Sequence, residues 1–114
     1  MSNKKITTIN KRSDFIYLKK YGERIRAGLL SIIYVKLPLE QNSTRVAYIA
    51  SKKVVGNAVK RNKVKRRLRS LVREYYNIIP NNHLLLFISS SKTYNIKYSL
   101  LKNDFLYCIS KIKI

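Results

Sequence analysis

Residues 51–76 read SKKVVGNAVKRNKVKRRLRSLVREYY. Ten of these positions are basic (Lys52, Lys53, Lys60, Arg61, Lys63, Lys65, Arg66, Arg67, Arg69 and Arg73), and the only acid is Glu74. A block of like charge ordinarily repels itself into a disordered tail. This one is threaded by apolar residues. Val64, Leu68, Leu71, Val72 and Tyr75 recur at i, i+4, i+7, i+8 and i+11, which is one face of an α-helix. At about 100° per residue, Asn62, Arg66, Arg69 and Arg73 fall together on the opposite face. One face can bury while the other holds cations in a line, an arrangement suited to a polyphosphate backbone. Gly56-Asn57 is a turn signal, and Asn57 is a good N-cap because its side chain can accept from an orphan backbone N–H. Lys60 and Arg61 sit near the apolar azimuth, one turn before the apolar stripe, at the mouth of the helix. A solvated face normally mixes signs, and this one does not.

Working outward, the residues before this helix are rich in β-formers. Residues 29–37, LLSIIYVKL, and 44–51, TRVAYIAS, read as two strands separated by a loop at 38–43. Their proximity predicts an antiparallel hairpin that runs straight into the basic helix. Ser13-Asp14 opens a short helical pattern with Phe15, Leu18 and Tyr21 on one side, and Gly22 stops it. Residues 1–12 are polar and basic and are expected to be a flexible arm. After the basic helix, Pro80-Asn81-Asn82 breaks the chain. Residues 84–89, LLLFIS, are apolar throughout, as in a central strand covered on both faces. A final helix over 97–113 puts Leu101, Phe105, Ile109 and Ile112 on its core face. The order α-β-β-α-β-α predicts an α+β fold, a single domain over 1–114 with helices packed on one mixed sheet.

Composition narrows the partner. The chain has 114 residues, enough for one domain with a sizeable core, and 46% are hydrophobic. Against 25 basic residues stand 5 acidic ones, a formal net charge of +20. Such an excess costs self-repulsion and points to a polyanionic partner. No stretch approaches the roughly 18 apolar residues of a membrane span, and the first ten residues carry no apolar signal-peptide core. The single cysteine, Cys108, permits no internal disulfide and suits a reducing cytoplasm. Its apolar-patterned surroundings read as core.

Catalytic constellations are missing. The lone histidine, His83, follows two asparagines and reads as a solvated turn residue. Asp14, Glu23, Glu40, Glu74 and Asp104 are scattered, whereas a two-metal nuclease clusters its carboxylates. One Cys and one His cannot make a zinc site, and three glycines make no phosphate loop. The aromatics carry a second signal. Nine tyrosines and three phenylalanines are many for a small basic protein, and splayed bases stack on such rings. Phe87 and Phe105 read as core, while Phe15, Tyr17, Tyr34 and Tyr48 could line an open groove.

Taken together, Ser51-Lys52-Lys53, Gly56-Asn57-Ala58-Val59, Arg61-Asn62-Lys63, Lys65-Arg66 and Leu68-Arg69 closely resemble the signature of the bacterial ribonuclease P protein component. Asp14-Phe15 followed by Gly22 is similar to that family's first-helix pattern. The resemblance implies a left-handed βαβ crossover around the basic helix, against the usual hand. It also implies a division of labour. A large RNA binds Mg2+ and cleaves the 5′ leader from precursor tRNA, while the protein binds that RNA and the single-stranded leader. Carried over by position, Arg61, Asn62, Lys63, Lys65, Arg66 and Arg69 would contact the RNA subunit, and Arg73 continues their stripe. Phe15, Lys52 and Lys53 would fall in the leader cleft, with Tyr34 as a cleft ring. The implied partners are ribonuclease P RNA and precursor tRNA, with no membrane and no small-molecule substrate. The sequence departs from the pattern at Lys63, where a second arginine is usual, at Ser70, where glutamate is usual, at Lys19, often aromatic, and in the extra residue at Val54-Val55. A generic ribosomal-type RNA-binding protein is the alternative, but it would not share the GNAV-RNK-KR spacing.

Overall fold

The computed structural model describes residues 5–38, 42–50, 57–90 and 93–113. Asn57 does cap the basic helix: its side chain accepts from the Lys60 N–H at 3.0 Å. The helix, α2, runs Ala58–Glu74, and a 3-10 turn at Tyr76–Ile78 follows it. It buries Val64, Leu68, Leu71 and Val72. Tyr75, half-buried at its end, meets Phe105 with ring centroids 6.1 Å apart.

Among the described residues the order is β1 (Lys5–Thr8), α1 (Arg12–Tyr21), β2 (Glu23–Arg26), β3 (Leu30–Lys36), β4 (Ser43–Ile49), α2, β5 (His83–Ser89) and α3 (Tyr98–Ser110). The five strands form one mixed sheet in the order β1-β4-β5-β3-β2. The predicted hairpin is therefore corrected. β3 and β4 do not pair, because β5 lies between them, antiparallel to β3 and parallel to β4. The physical reason lies in β5 itself. Its run of Leu84, Leu85, Leu86 and Phe87 is buried on both faces and competes better for the sheet centre than an edge position could offer. Two short strands escape the sequence reading. Residues 5–8 are not part of an arm but pair with β4 in parallel, Ile6 opposite Thr44 and Thr8 opposite Val46. Residues 23–26 pair antiparallel with β3.

Register decides which face each side chain takes. Leu30, Ile32, Tyr34, Val46, Leu85 and Phe87 face α2 and α3 and join the main core. There Phe87 stacks on Phe105 at 5.6 Å and on Tyr48 at 5.7 Å, joining sheet to helix through rings. Leu101, Phe105, Ile109 and Ile112 are buried as predicted, and so is Cys108, whose thiol burial pushes up to about 11. The opposite face carries Ile33, Val35, Ala47, Leu84, Leu86 and Ile88 under α1. His83 is corrected too. It opens β5 at 1% exposure instead of lying in a solvated turn, its Nδ1 is 2.6 Å from the Asn81 carbonyl, and burial pushes its pKa down.

Gly22 ends α1 for a steric reason. A Cβ there would stand 2.3 Å from the Leu18 carbonyl oxygen and 2.7 Å from Ile33 Cγ2. At the other end of the same helix, Asp14 accepts from Arg45 Nε at 2.9 Å and Nη2 at 3.2 Å. These two contacts fix how α1 lies across the sheet.

Candidate nucleic-acid interface

The outer surface of α2 is one continuous cationic ridge. Asn62, Lys63, Arg66, Arg69, Ser70 and Arg73 are exposed, and Arg61 and Lys65 are half-buried at its flanks. Lys63, Arg66, Arg69 and Arg73 line a shallow groove of about 560 Å³ that Tyr98 closes on the α3 side. The one acid of the stretch, Glu74, is turned to Lys102 at 3.6 Å and to the Tyr98 hydroxyl at 3.4 Å. All seven side chains predicted to meet a large RNA thus stand on one rigid element. Lys52 and Lys53 lie outside the described residues.

Arg67, which the sequence reading left without a role, holds the ridge in place. Its Nη1 donates to the Thr93 carbonyl at 2.6 Å and its Nη2 to the Ile96 carbonyl. Lys60 lies 4.4 Å from the Tyr94 ring centroid, a cation–π contact to the same loop. Neighbouring cations on one helix therefore divide into those that hold the fold and those that face outward.

A second surface lies across the sheet. Phe15, Tyr17, Ile33 and Ile88 pack half-buried against the α1 side of the sheet. Asp14 anchors one flank of α1 toward Arg45. Phe15 and Lys19, one and five residues on, share the other flank by helical phase, and the 38%-exposed Ile49 lies opposite Ile88 on the same sheet face. Arg24 lies opposite Ile33 and Arg26 opposite Ser31, so both exposed arginines share that sheet face. The result is an apolar floor with an aromatic wall and a basic border. Arg24 and Arg26 were missed because residues 23–26 were not read as a strand, and Ile49 because the face of its strand was not assigned.

Tyr34 does not belong to this surface. It is 5% exposed on the opposite face, its hydroxyl donates to Glu23 Oε2 at 2.6 Å, and the Lys113 N–H donates to that hydroxyl at 3.3 Å. A one-residue change of parity along a strand moves a side chain through the sheet, and Ile33 and Val35 take the α1 side instead.

The acids among the described residues do not fit a magnesium site. Among the described residues no three His, Cys, Asp or Glu side chains converge. Asp14 is engaged by Arg45, Asp104 accepts from the Leu29 N–H at 2.8 Å, and Glu23 and Glu74 have the partners given above. Nor, among those residues, is any helix long and apolar enough to cross a membrane.

Residues 4–113 match the model of the family described as Ribonuclease P. The chain is 32% identical over 106 aligned positions to the ribonuclease P protein component of Alkaliphilus metalliredigens, covering 93% of each. It is 31% identical over 116 positions to that of Mycoplasma mycoides subsp. mycoides SC, covering 99% of this chain and 100% of the other. Among solved structures, the RNase P protein from Thermotoga maritima superposes with a TM-score of 0.81 at 21% identity, covering 94% of this chain and 98% of that one. The Staphylococcus aureus RNase P protein gives 0.76 at 22% identity, with 90% and 92% covered. The chain belongs to the ribonuclease P protein component family, and so to the protein part of the ribonuclease P holoenzyme.

Proposed function

We propose that this protein binds ribonuclease P RNA through the outer ridge of α2 and the single-stranded 5′ leader of precursor tRNA through the surface between α1 and the sheet. The observation that carries the reading is the pairing of two unlike surfaces on opposite sides of one sheet. The ridge offers Arg61, Asn62, Lys63, Lys65, Arg66, Arg69 and Arg73 to a structured polyanion. Arginine suits that task because its planar fork meets phosphate oxygens two at a time. Lys63, at the usual second-arginine position, keeps the charge without the fork.

The leader surface works differently. An extended strand presents unstacked bases and one charge per nucleotide. Phe15 supplies a stacking wall, Ile33, Ile49 and Ile88 an apolar floor, and Arg24, Arg26 and Lys19 the neutralising border. Stacking and charge both tolerate sequence change, so leaders of differing sequence are held alike. The protein positions the substrate. The Mg2+ ions of cleavage are assigned to the RNA, a reading supported by the engagement of Asp14, Glu23, Glu74 and Asp104 with other partners.

The test is cleavage of a 5′-extended precursor tRNA at near-physiological magnesium by protein alone, by ribonuclease P RNA alone and by both. Activity in the mixture far above that of RNA alone is expected. Cleavage by protein alone, or no stimulation with a cognate RNA that the protein binds, overturns the reading. Phe15→Ala separates the two surfaces: affinity of the holoenzyme for precursor tRNA falls while affinity for mature tRNA holds. An equal fall in both removes Phe15 from the leader surface.

A further inference from the structure

A second groove lies on the far side of the sheet from Phe15, where the C-terminal half of α2 overhangs the β1–β4 edge. It encloses about 310 Å³ and is lined by Ile6, Thr8, Tyr48, Arg69, Arg73 and Tyr76. That is the low end of the roughly 300–1,000 Å³ typical of ligand pockets. Its floor is preorganised. The Tyr48 ring is stacked on the fully buried Phe87 and cannot turn away without disturbing the core. The Arg69 guanidinium lies 5.9 Å from the Tyr48 ring centroid, and Arg73 acts by charge on the same hydroxyl. Burial outweighs both arginines and pushes that hydroxyl up to about 12, so it remains a donor throughout the physiological range. Among the described residues, β1 pairs only with β4, so its outer edge adds backbone donors and acceptors beside the groove.

A rigid aromatic face, two guanidinium groups at its rim and a polar strand edge match the three parts of a nucleotide: base plane, phosphate and base edge. We infer that this groove takes one nucleotide extruded from ribonuclease P RNA, its base against Tyr48 and its phosphate held between Arg69 and Arg73. The inference rests on the reading that α2 binds this RNA, and it deepens it. Arg69 and Arg73 then act on both sides of α2, because they also line the outer groove. The ridge contacts backbone and adds charge. The groove adds a contact with a single unstacked base, which a stripe of cations alone cannot make.

Thr8 lies opposite Val46 on the groove side of β1 and is exposed, so Thr8→Trp fills the space while leaving every cation in place. The full-length protein is titrated against a ribonuclease P RNA transcript, without tRNA, at a series of salt concentrations. Thr8→Trp is expected to weaken binding about 5- to 150-fold, the worth of one stacked base, with the slope of log K against log salt shallower by no more than about 0.7–0.9 log unit, the worth of the one phosphate held between Arg69 and Arg73. Tyr76→Leu, which keeps the apolar area but removes a ring, is the second variant and is expected to weaken binding in the same direction. It also decides the matter if circular dichroism shows Thr8→Trp unfolded. Unchanged affinity in the folded variants overturns the inference and leaves the β1 edge to a peptide strand. A loss of affinity that disappears on extrapolation to about 1 M salt, where the electrostatic share vanishes, also overturns it, since the groove then holds backbone phosphate alone. Failure of the unmodified protein to bind the transcript is a different result, which refutes the RNA-subunit reading itself.

Discussion

Gly22→Ala tests the link between the seating of α1 and leader binding. The added Cβ would sit 2.3 Å from the Leu18 carbonyl oxygen and 2.7 Å from Ile33 Cγ2. Ordinary contact begins near 3.4 Å, so the atoms must separate by about 1 Å. The Leu18 oxygen cannot swing aside alone, because it is helix backbone accepting from the Gly22 N–H at 2.8 Å. The end of α1 must therefore lift off β3, or Ile33 must leave its rotamer. Overpacking of this kind costs about 1–3 kcal/mol. The loss of glycine freedom in the unfolded chain returns about 0.4–1 kcal/mol. The net expectation is about 1–2 kcal/mol of destabilisation. In urea, with a slope of about 1–3 kcal/mol per molar, the unfolding midpoint drops by roughly 0.5–1 M. Because Phe15 rides on the same helix, the holoenzyme should also lose discrimination between precursor and mature tRNA. Binding to ribonuclease P RNA, proposed for α2 across the sheet, should hold. An unchanged midpoint refutes the steric argument. A lowered midpoint with discrimination intact refutes the claim that α1 forms the leader wall.

Three further outcomes are expected. Arg66→Ala combined with Arg69→Ala weakens RNA-subunit binding and flattens its salt dependence by up to roughly 0.9 log unit of slope per lost duplex phosphate contact, read from titrations across salt. The native pKa of His83 is held below its ordinary 6.5 by burial, so the unfolded chain binds more protons as acid is added. Stability should accordingly fall as pH drops through about 6.5, and His83→Gln, the chain's only histidine removed, should flatten urea midpoints between about pH 7.5 and 5.5. Cys108, fully buried with its thiol pushed up to about 11, should stay unreactive toward an aromatic disulfide reagent at pH 8 until urea unfolds the protein, and rapid labelling of the native protein would contradict that burial.

The residues explain why some of this fold was readable and some was not. The helix Ala58–Glu74 was legible because its cap, stripe and opposite face are all local. The core positions of α3 followed from the same 3.6-residue period. Residues 84–89 could be placed at the sheet centre because an unbroken apolar run has no wet face to offer. Which strands flank it could not be read, since partner choice depends on contacts between residues distant in the chain. The hairpin expectation followed the common tendency of neighbouring strands to pair, and the stronger apolar run overrode it. The same limit governed the site. The ridge on α2 needed only a helical wheel. The surface proposed for the leader needed the parity of β3, which puts Ile33 on the α1 side and Tyr34 on the opposite face. Residues 5–8 and 23–26 are too short and too polar to announce themselves as strands. They are defined by the neighbours they lean on.

The central place of β5 also bears on how the chain reaches its native state. Leu30 finds Ser89 and Arg45 finds Leu84, partners roughly 40 to 60 positions apart. Among the described residues, only the β2–β3 pair can form early from nearby residues. Until His83–Ser89 has left the ribosome, β3 and β4 have nothing to join them, and the apolar stripe of α2 has an incomplete sheet to cover. Closure is thus a late step with a high entropic toll, the kind that slows folding. Throughout that wait the chain carries its full positive charge without a compact body to hold it. A polyanion that favours the finished arrangement stabilises it by mass action. Maturation of this subunit and its capture by RNA are therefore coupled equilibria, and the sheet order is what couples them.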